Sequence, residues 1–190
     1  MNEQELWANM KSGDAVAFSL LYKKHASTLY RYGCKLTPDK ELVKDSIQQI
    51  FLNVWNHKEN LGQPASTIHY LLKALRLEIL KKSGAKSSFE SLSDDHDFLQ
   101  VNSSESDLIQ HQTSEQNQRR IQALLEKLPS RQREVIFLKY FANLKNEEIA
   151  AIMGIEQESV YKLTYKAIDK LQKLYFLSLG LLLLFFLAWV

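Results

Sequence analysis

Apolar residues recur three and four positions apart along most of the chain, the spacing that lines one face of an α-helix. Val16, Leu20, Leu21, Ala26, Leu29 and Tyr30 keep roughly this spacing after a Ser12-Gly13-Asp14 turn whose Asp14 can cap the helix that follows. A second start signal stands at Thr37-Pro38, where proline loses no intrahelical hydrogen bond and Thr37 can accept one from an exposed amide. The helix it opens carries Val43, Ile47, Ile50, Phe51, Val54 and Trp55 on one side, which must be buried. Asp45, Gln48, Gln49 and Leu52 lie opposite, leaving an apolar residue on an exposed face. A loop from Asn56 to Ser66, with Gly62 and Pro64, leads to a helix from about Thr67 to Lys82. Ile68, Leu71, Leu72, Leu75 and Ile79 form its core flank, and Lys73, Arg76, Lys81 and Lys82 a basic one. The block 1–82 thus reads as a domain of four helices.

The pattern then breaks. Residues 83–118 hold nine serines, seven acids and one lysine, too little apolar surface to offset the entropy of ordering, and read as a flexible acidic linker. Periodicity resumes at 119–173 with a helix ending near Leu128, stopped by Pro129. Ser130 then stands as the cap of a helix to about Phe141 that carries Val135, Ile136, Leu138 and Phe141.

From Asn146 the spacing becomes specific. A helix-turn-helix needs a small residue where its helices cross, a glycine four positions on for the turn, and apolar residues at fixed offsets. Ala150, Gly154 and the set Ile149, Met153, Ile155, Val160 and Leu163 meet those needs; Asn146 can cap, and Glu147 and Glu148 suit the first turn. On the second helix Val160, Leu163, Ala167, Leu171 and Leu174 make one stripe, with Lys162, Lys166, Lys170 and Lys173 opposite. Lysines on a groove-entering helix fit phosphate contact, and Gln157, Glu158, Tyr161, Lys162 and Tyr165 stand where bases would be read. By spacing alone, an ordinary helical hairpin with a solvated lysine face fits equally well.

Composition supports an all-α fold. Only 6 Gly and 3 Pro occur in 190 residues, and Leu, Lys, Glu, Gln and Ala dominate. A net charge of +2 looks small for a nucleic-acid binder, but the acidic linker conceals two basic flanks. The single Cys34 has no disulfide or metal-cluster partner, reads as a small core residue and suits a reducing cytosol. A polar N-terminus argues against secretion, and no catalytic-triad, metal-ligand or phosphate-loop spacing points to an enzyme.

Read in order, the chain resembles the extracytoplasmic-function group of bacterial sigma factors, in the sigma-70 family, from Leu6 to about Lys173. The residues that carry the likeness are Leu6-Trp7, Lys11-Ser12-Gly13-Asp14, Ala17-Phe18, Leu21-Tyr22, Leu29-Tyr30-Arg31-Tyr32 and Asp45-Ser46-Ile47-Gln48-Gln49-Ile50-Phe51 with Val54-Trp55. Leu128-Pro129-Ser130-Arg131-Gln132-Arg133-Glu134-Val135 and Glu147-Glu148-Ile149-Ala150-Ala151-Ile152-Met153-Gly154-Ile155 complete it. The resemblance implies a factor that binds core RNA polymerase and directs promoter recognition and transcription initiation, with no cofactor and with an anti-sigma factor as a further partner. Its region 2-like domain would contact polymerase through Asp45, Gln48, Gln49 and Leu52. The melted promoter strand would meet Asn60, His69, Tyr70, Lys73 and Arg76, cations and π-faces of the kind single strands need. Its region 4-like domain would read duplex DNA through Gln157, Glu158, Tyr161, Lys162, Tyr165 and Lys166.

Residues 174–190 are free of charge, and as a helix would run roughly 26 Å at 1.5 Å per residue. That approaches the hydrocarbon thickness of about 30 Å, with Tyr175 and Trp189 near the ends and lysines just before. The tail therefore reads as an inner-membrane anchor for an otherwise cytoplasmic protein. The alternatives are a helix packed on the protein or on a partner, or one masking the DNA face. Gln49, where the family usually has an acid, and this tail leave a second function open: a membrane-tethered helix-turn-helix regulator without polymerase contact.

Overall fold

A computed structural model describes residues 2–84 and 121–189, with side chains as far as Tyr175. Every regular element among the described residues is helical. The first half contains α1 (Glu3–Lys11), α2 (Ala15–Leu36), α3 (Lys40–Asn56), a 3₁₀ turn (Lys58–Asn60) and α4 (Thr67–Lys82). The second half contains a helix at 121–126 (α5), α6 (Ser130–Ile136), a π-helical turn (Phe137–Phe141), α7 (Asn146–Met153) and α8 (Gln157–Trp189).

Local chemistry explains the starts. Asp14 Oδ1 accepts hydrogen bonds from the Val16 and Ala17 amides, as its position after the Ser-Gly turn predicts. At α3 the capping residue is Asp39 instead of Thr37: Asp39 accepts from the Leu42 amide, and Thr37 Oγ1 accepts from Asp39 N one turn earlier. Pro129, not Ser130, is the residue before α6, and it makes no side-chain cap. Before α7 stands Lys145, whose amide donates to Glu148 Oε2 at 2.7 Å. Asn146, expected to cap α7, lies inside it, buried, and accepts from the Lys139 ammonium.

The helix expected to run unbroken from Ser130 to Phe141 widens at Phe137 into a π-helical turn. Phe137 and Phe141 stack there at 5.7 Å. A π turn adds a residue to the repeat and shifts which side chains face inward. Phe137 and Leu138 are buried as a result, while Phe141 is half exposed.

The stripe of α3 packs as its spacing predicts: Val43, Ile47, Ile50, Phe51 and Val54 are buried. The inward face of α2 is rotated from the expected one. Ala17, Leu21, Leu29 and Tyr32 are buried, whereas Val16 and Leu20 are exposed. Gly33 explains how α2 and α3 come so close, because a Cβ there would lie 2.5 Å from Val43 Cγ1. Trp7 of α1 is buried and donates from Nε1 to the Gly62 carbonyl at 3.1 Å, tying the loop before α4 to the bundle.

The two halves are packed together, α2 on α6 and α4 on α7. Most of the expected linker, 83–118, lies outside the described residues. Among the described residues no helix is long and apolar enough to cross a membrane. The side chains of 176–190, on which the expected anchor rests, lie outside the description, and the anchor gains no support.

Candidate nucleic-acid interface

The helix-turn-helix forms as its spacing predicts. Gly154 ends α7 in the left-handed conformation, φ 66° and ψ 40°, which glycine adopts without steric cost. The Ile155 amide then returns to the Ala150 carbonyl at 3.1 Å, turning the chain into α8. Ile149, Met153, Val160 and Ala167 fill the angle between the helices, with Ala150 and Leu163 half-buried at its edge.

The outward face of α8 carries the expected duplex-reading residues. Tyr161 and Tyr165 are 58% and 75% exposed, and Lys162 and Lys166 are exposed beside them. Glu158 Oε1 lies 2.7 Å from Lys162 Nζ, one turn on. That hydrogen bond and the lysine charge hold the Glu158 carboxyl below its usual range and raise the Lys162 ammonium. Gln157 donates to Glu147 Oε1 at 3.3 Å, which directs its amide toward α7.

The residues assigned to polymerase contact share one side of α3. Asp45, Gln48 and Leu52 are exposed, and the half-buried Gln49 donates to Asn53 Oδ1 at 2.9 Å. Leu52, at 45% exposure, is the apolar residue on the outer face that the periodicity left unexplained.

The strand-reading set is divided. Asn60 is exposed at the end of the 3₁₀ turn, Lys73 is exposed on α4, and Tyr70 stands edge-on to Trp7 with ring centroids 5.5 Å apart. His69 and Arg76 instead face the second half. His69 Nδ1 is 3.2 Å from Glu148 Oε1 on α7. Arg76 is 6% exposed and donates from Nε to Glu134 Oε1 at 2.9 Å. The same oxygen accepts from the Tyr32 hydroxyl at 2.7 Å. Burial first, then the neighbouring Glu134 charge, pushes the Tyr32 phenol well above its ordinary value, so it remains a donor.

Tyr32 and Glu134 had no assigned role in the sequence. One signal was available for Glu134: it sits three and four residues before Phe137 and Leu138, a carboxylate on an apolar face. Its partners, 58 and 102 residues away, leave no local trace.

Sequence comparison agrees with this geometry. Residues 118–171 match the profile of Sigma-70, region 4. The ECF RNA polymerase sigma factor SigL of Mycobacterium tuberculosis is 24% identical over 161 residues, covering 85% of this chain and 90% of that protein. The ECF RNA polymerase sigma factor SigE of Mycolicibacterium smegmatis is 25% identical over 142 residues, covering 74% of this chain and 54% of that one.

Among solved structures, CnrH in complex with the cytosolic domain of CnrY has the same fold, with a TM-score of 0.61, 20% identity and coverage of 91% and 96%. The sigma factor RpoE in complex with the anti-sigma factor NepR from Bartonella quintana also gives 0.61, at 18% identity and coverage of 83% and 96%. Fold and helix-turn-helix together define an all-helical, DNA-binding transcription factor. More narrowly, residues 118–171 match region 4 of the sigma-70 factors, and over most of its length the chain is similar to extracytoplasmic-function sigma factors.

Proposed function

We propose that this protein binds core RNA polymerase in the cytoplasm and directs it to promoters, with residues 1–82 and 119–173 acting as two domains joined by 83–118. The observation that carries this reading is the exposed face of α8, Tyr161, Lys162, Tyr165 and Lys166, held outward by a formed helix-turn-helix in a chain of sigma-factor fold. Aromatic rings and cations on one groove-facing helix supply base-edge contact and phosphate charge together.

Asp45, Gln48, Gln49 and Leu52 form the polymerase contact, a polar rim around one apolar side chain. Asn60, His69, Tyr70, Lys73 and Arg76 serve the unpaired strand, and Gln157 and Glu158 flank the duplex-reading face. Since RpoE from Bartonella quintana, a solved structure of this fold, is in complex with the anti-sigma factor NepR, a partner of that kind is proposed here as well.

Transcription from promoter-containing DNA by purified core polymerase is the direct test. Addition of the full chain is expected to yield discrete transcripts, and Leu52→Asp to abolish them while duplex binding persists. A chain that binds DNA yet starts no transcript would be a DNA-binding regulator without polymerase contact.

A further inference from the structure

A cavity of about 260 Å³ lies where α2 meets α6, and its charge is one-sided. Arg31 and Lys35 stand four residues apart on α2, hence on one face, and Arg133 of α6 lines the same space. Like charges so placed repel, and Lys35 and Arg133 are half-buried, where water screens them less. Burial first, and then the Arg133 charge, hold the Lys35 ammonium below its usual range, and burial lowers the Arg133 guanidinium as well. The acid that offsets them, Glu126, is exposed, accepts a hydrogen bond from Gln122 and is not part of the lining.

Arg133 is also short of acceptors. Its Nη2 donates to the Leu128 carbonyl at 3.3 Å, but Nε is buried and has no hydrogen-bond partner among the described residues. A buried donor without an acceptor is unfavourable, and an anion in the cavity would satisfy it with a charge-assisted bond. Phosphate suits this set best, because its several oxygens can accept from a guanidinium fork and an ammonium at once.

The remaining wall is largely aromatic. Tyr30, Phe137 and Phe141 line it, the two phenylalanine rings stack at 5.7 Å, and the Arg31 guanidinium lies 5.6 Å from the Phe141 centroid. The π-helical turn is the element that presents both phenylalanines here. A flat ring entering beside them gains offset or edge contact. A cavity of about 150 Å³ already accepts benzene, so this one has room for a ring and an anionic head.

We propose that the cavity binds a small aromatic anion of the aryl phosphate class, its phosphate held by Arg31, Lys35 and Arg133 and its ring laid against Tyr30, Phe137 and Phe141. The site shares no residue with the polymerase, strand or duplex faces and goes beyond the function proposed for them.

Cys34, the single cysteine of the chain, also lines the cavity and so reports its occupancy. Calorimetric titration of the full chain with phenyl phosphate, alongside timed alkylation of Cys34 by the neutral reagent iodoacetamide, tests the site. Saturable binding and several-fold slower alkylation are expected. Lys35→Gln should weaken binding about tenfold, the loss of one charge-assisted hydrogen bond, and the exposed, better-screened Arg31→Gln should weaken it less, both with unchanged helical circular dichroism. Inorganic phosphate, which lacks the ring, and benzyl alcohol, which lacks the charge, should each bind more weakly than phenyl phosphate. Equal affinity for either one overturns the ligand class. Absence of binding overturns the site. So does binding that leaves Cys34 unshielded and ignores both variants, since it would place the phosphate elsewhere, as on the lysines of α8. None of these measurements requires polymerase or promoter DNA, so their outcome is independent of the functional reading.

Discussion

Gly33 shows how much one missing methyl group can decide. An added Cβ would overlap Val43 Cγ1, a fully buried side chain at the crossing of α2 and α3. Helix propensity alone favours Gly33→Ala by about 1 kcal/mol, while overpacking a crossing costs about 1–3 kcal/mol. Since Val43 is β-branched and confined on all sides, the steric term should win. Urea unfolding is expected to show a lower midpoint for Gly33→Ala, recovered in part when Val43→Ala is added, because the second change removes the atoms in conflict. A higher midpoint for the single variant would mean that α2 and α3 separate readily. Tyr32 is a second residue whose meaning depends on packing: it lies outside the expected apolar stripe of α2, yet it is fully buried and its hydroxyl meets a carboxylate 102 residues away.

At the scale of the element, α8 presents a cationic face already partly neutralised by its own acid. The Glu158 to Lys162 pair spans one turn at full exposure, so it adds little to stability but subtracts from the positive potential facing a phosphate backbone. Glu158→Gln is therefore expected to strengthen duplex binding several-fold and to steepen the dependence of log affinity on log salt by about 0.9, the contribution of one added phosphate contact. Fluorescence anisotropy across a salt series reads both; an unchanged slope would place Lys162 away from the backbone. Elements of this kind were legible in the sequence because their determinants are local. The turn glycine at 154, the apolar set of α7 and α8 and the stripe of α3 all follow from spacing. Less legible were features set by competition between neighbours. Asp39 displaces Thr37 as the cap because the helix begins two residues past Pro38, and Val16 and Leu20 lose their inward place because Gly33 and Tyr32 fix the rotation of α2.

For the whole molecule the deciding question is whether the two halves behave as one body. The buried apolar residues of both halves form one cluster, whereas two domains joined only by a long linker would unfold independently. Here the seam joins α2 to α6 and α4 to α7, with Arg76, Glu134 and Tyr32 nearly or fully buried at its centre. Nothing in the periodicity announces this, since a seam needs only one face on each partner and its polar centre is spread over residues 32, 76 and 134. Buried polar contacts of this sort become very unfavourable when half of the pair is lost, so unfolding of either half removes the support of the other. Calorimetry of the wild type is thus expected to give one transition with matching calorimetric and van't Hoff enthalpies. In Tyr32→Phe the transition should broaden, with the calorimetric enthalpy exceeding the van't Hoff value, as the halves begin to melt separately. Two resolved transitions already in the wild type would mean that the seam is too weak to couple the halves. Equal enthalpies in both proteins would mean instead that apolar packing around Phe137 carries the coupling without the Tyr32 hydroxyl.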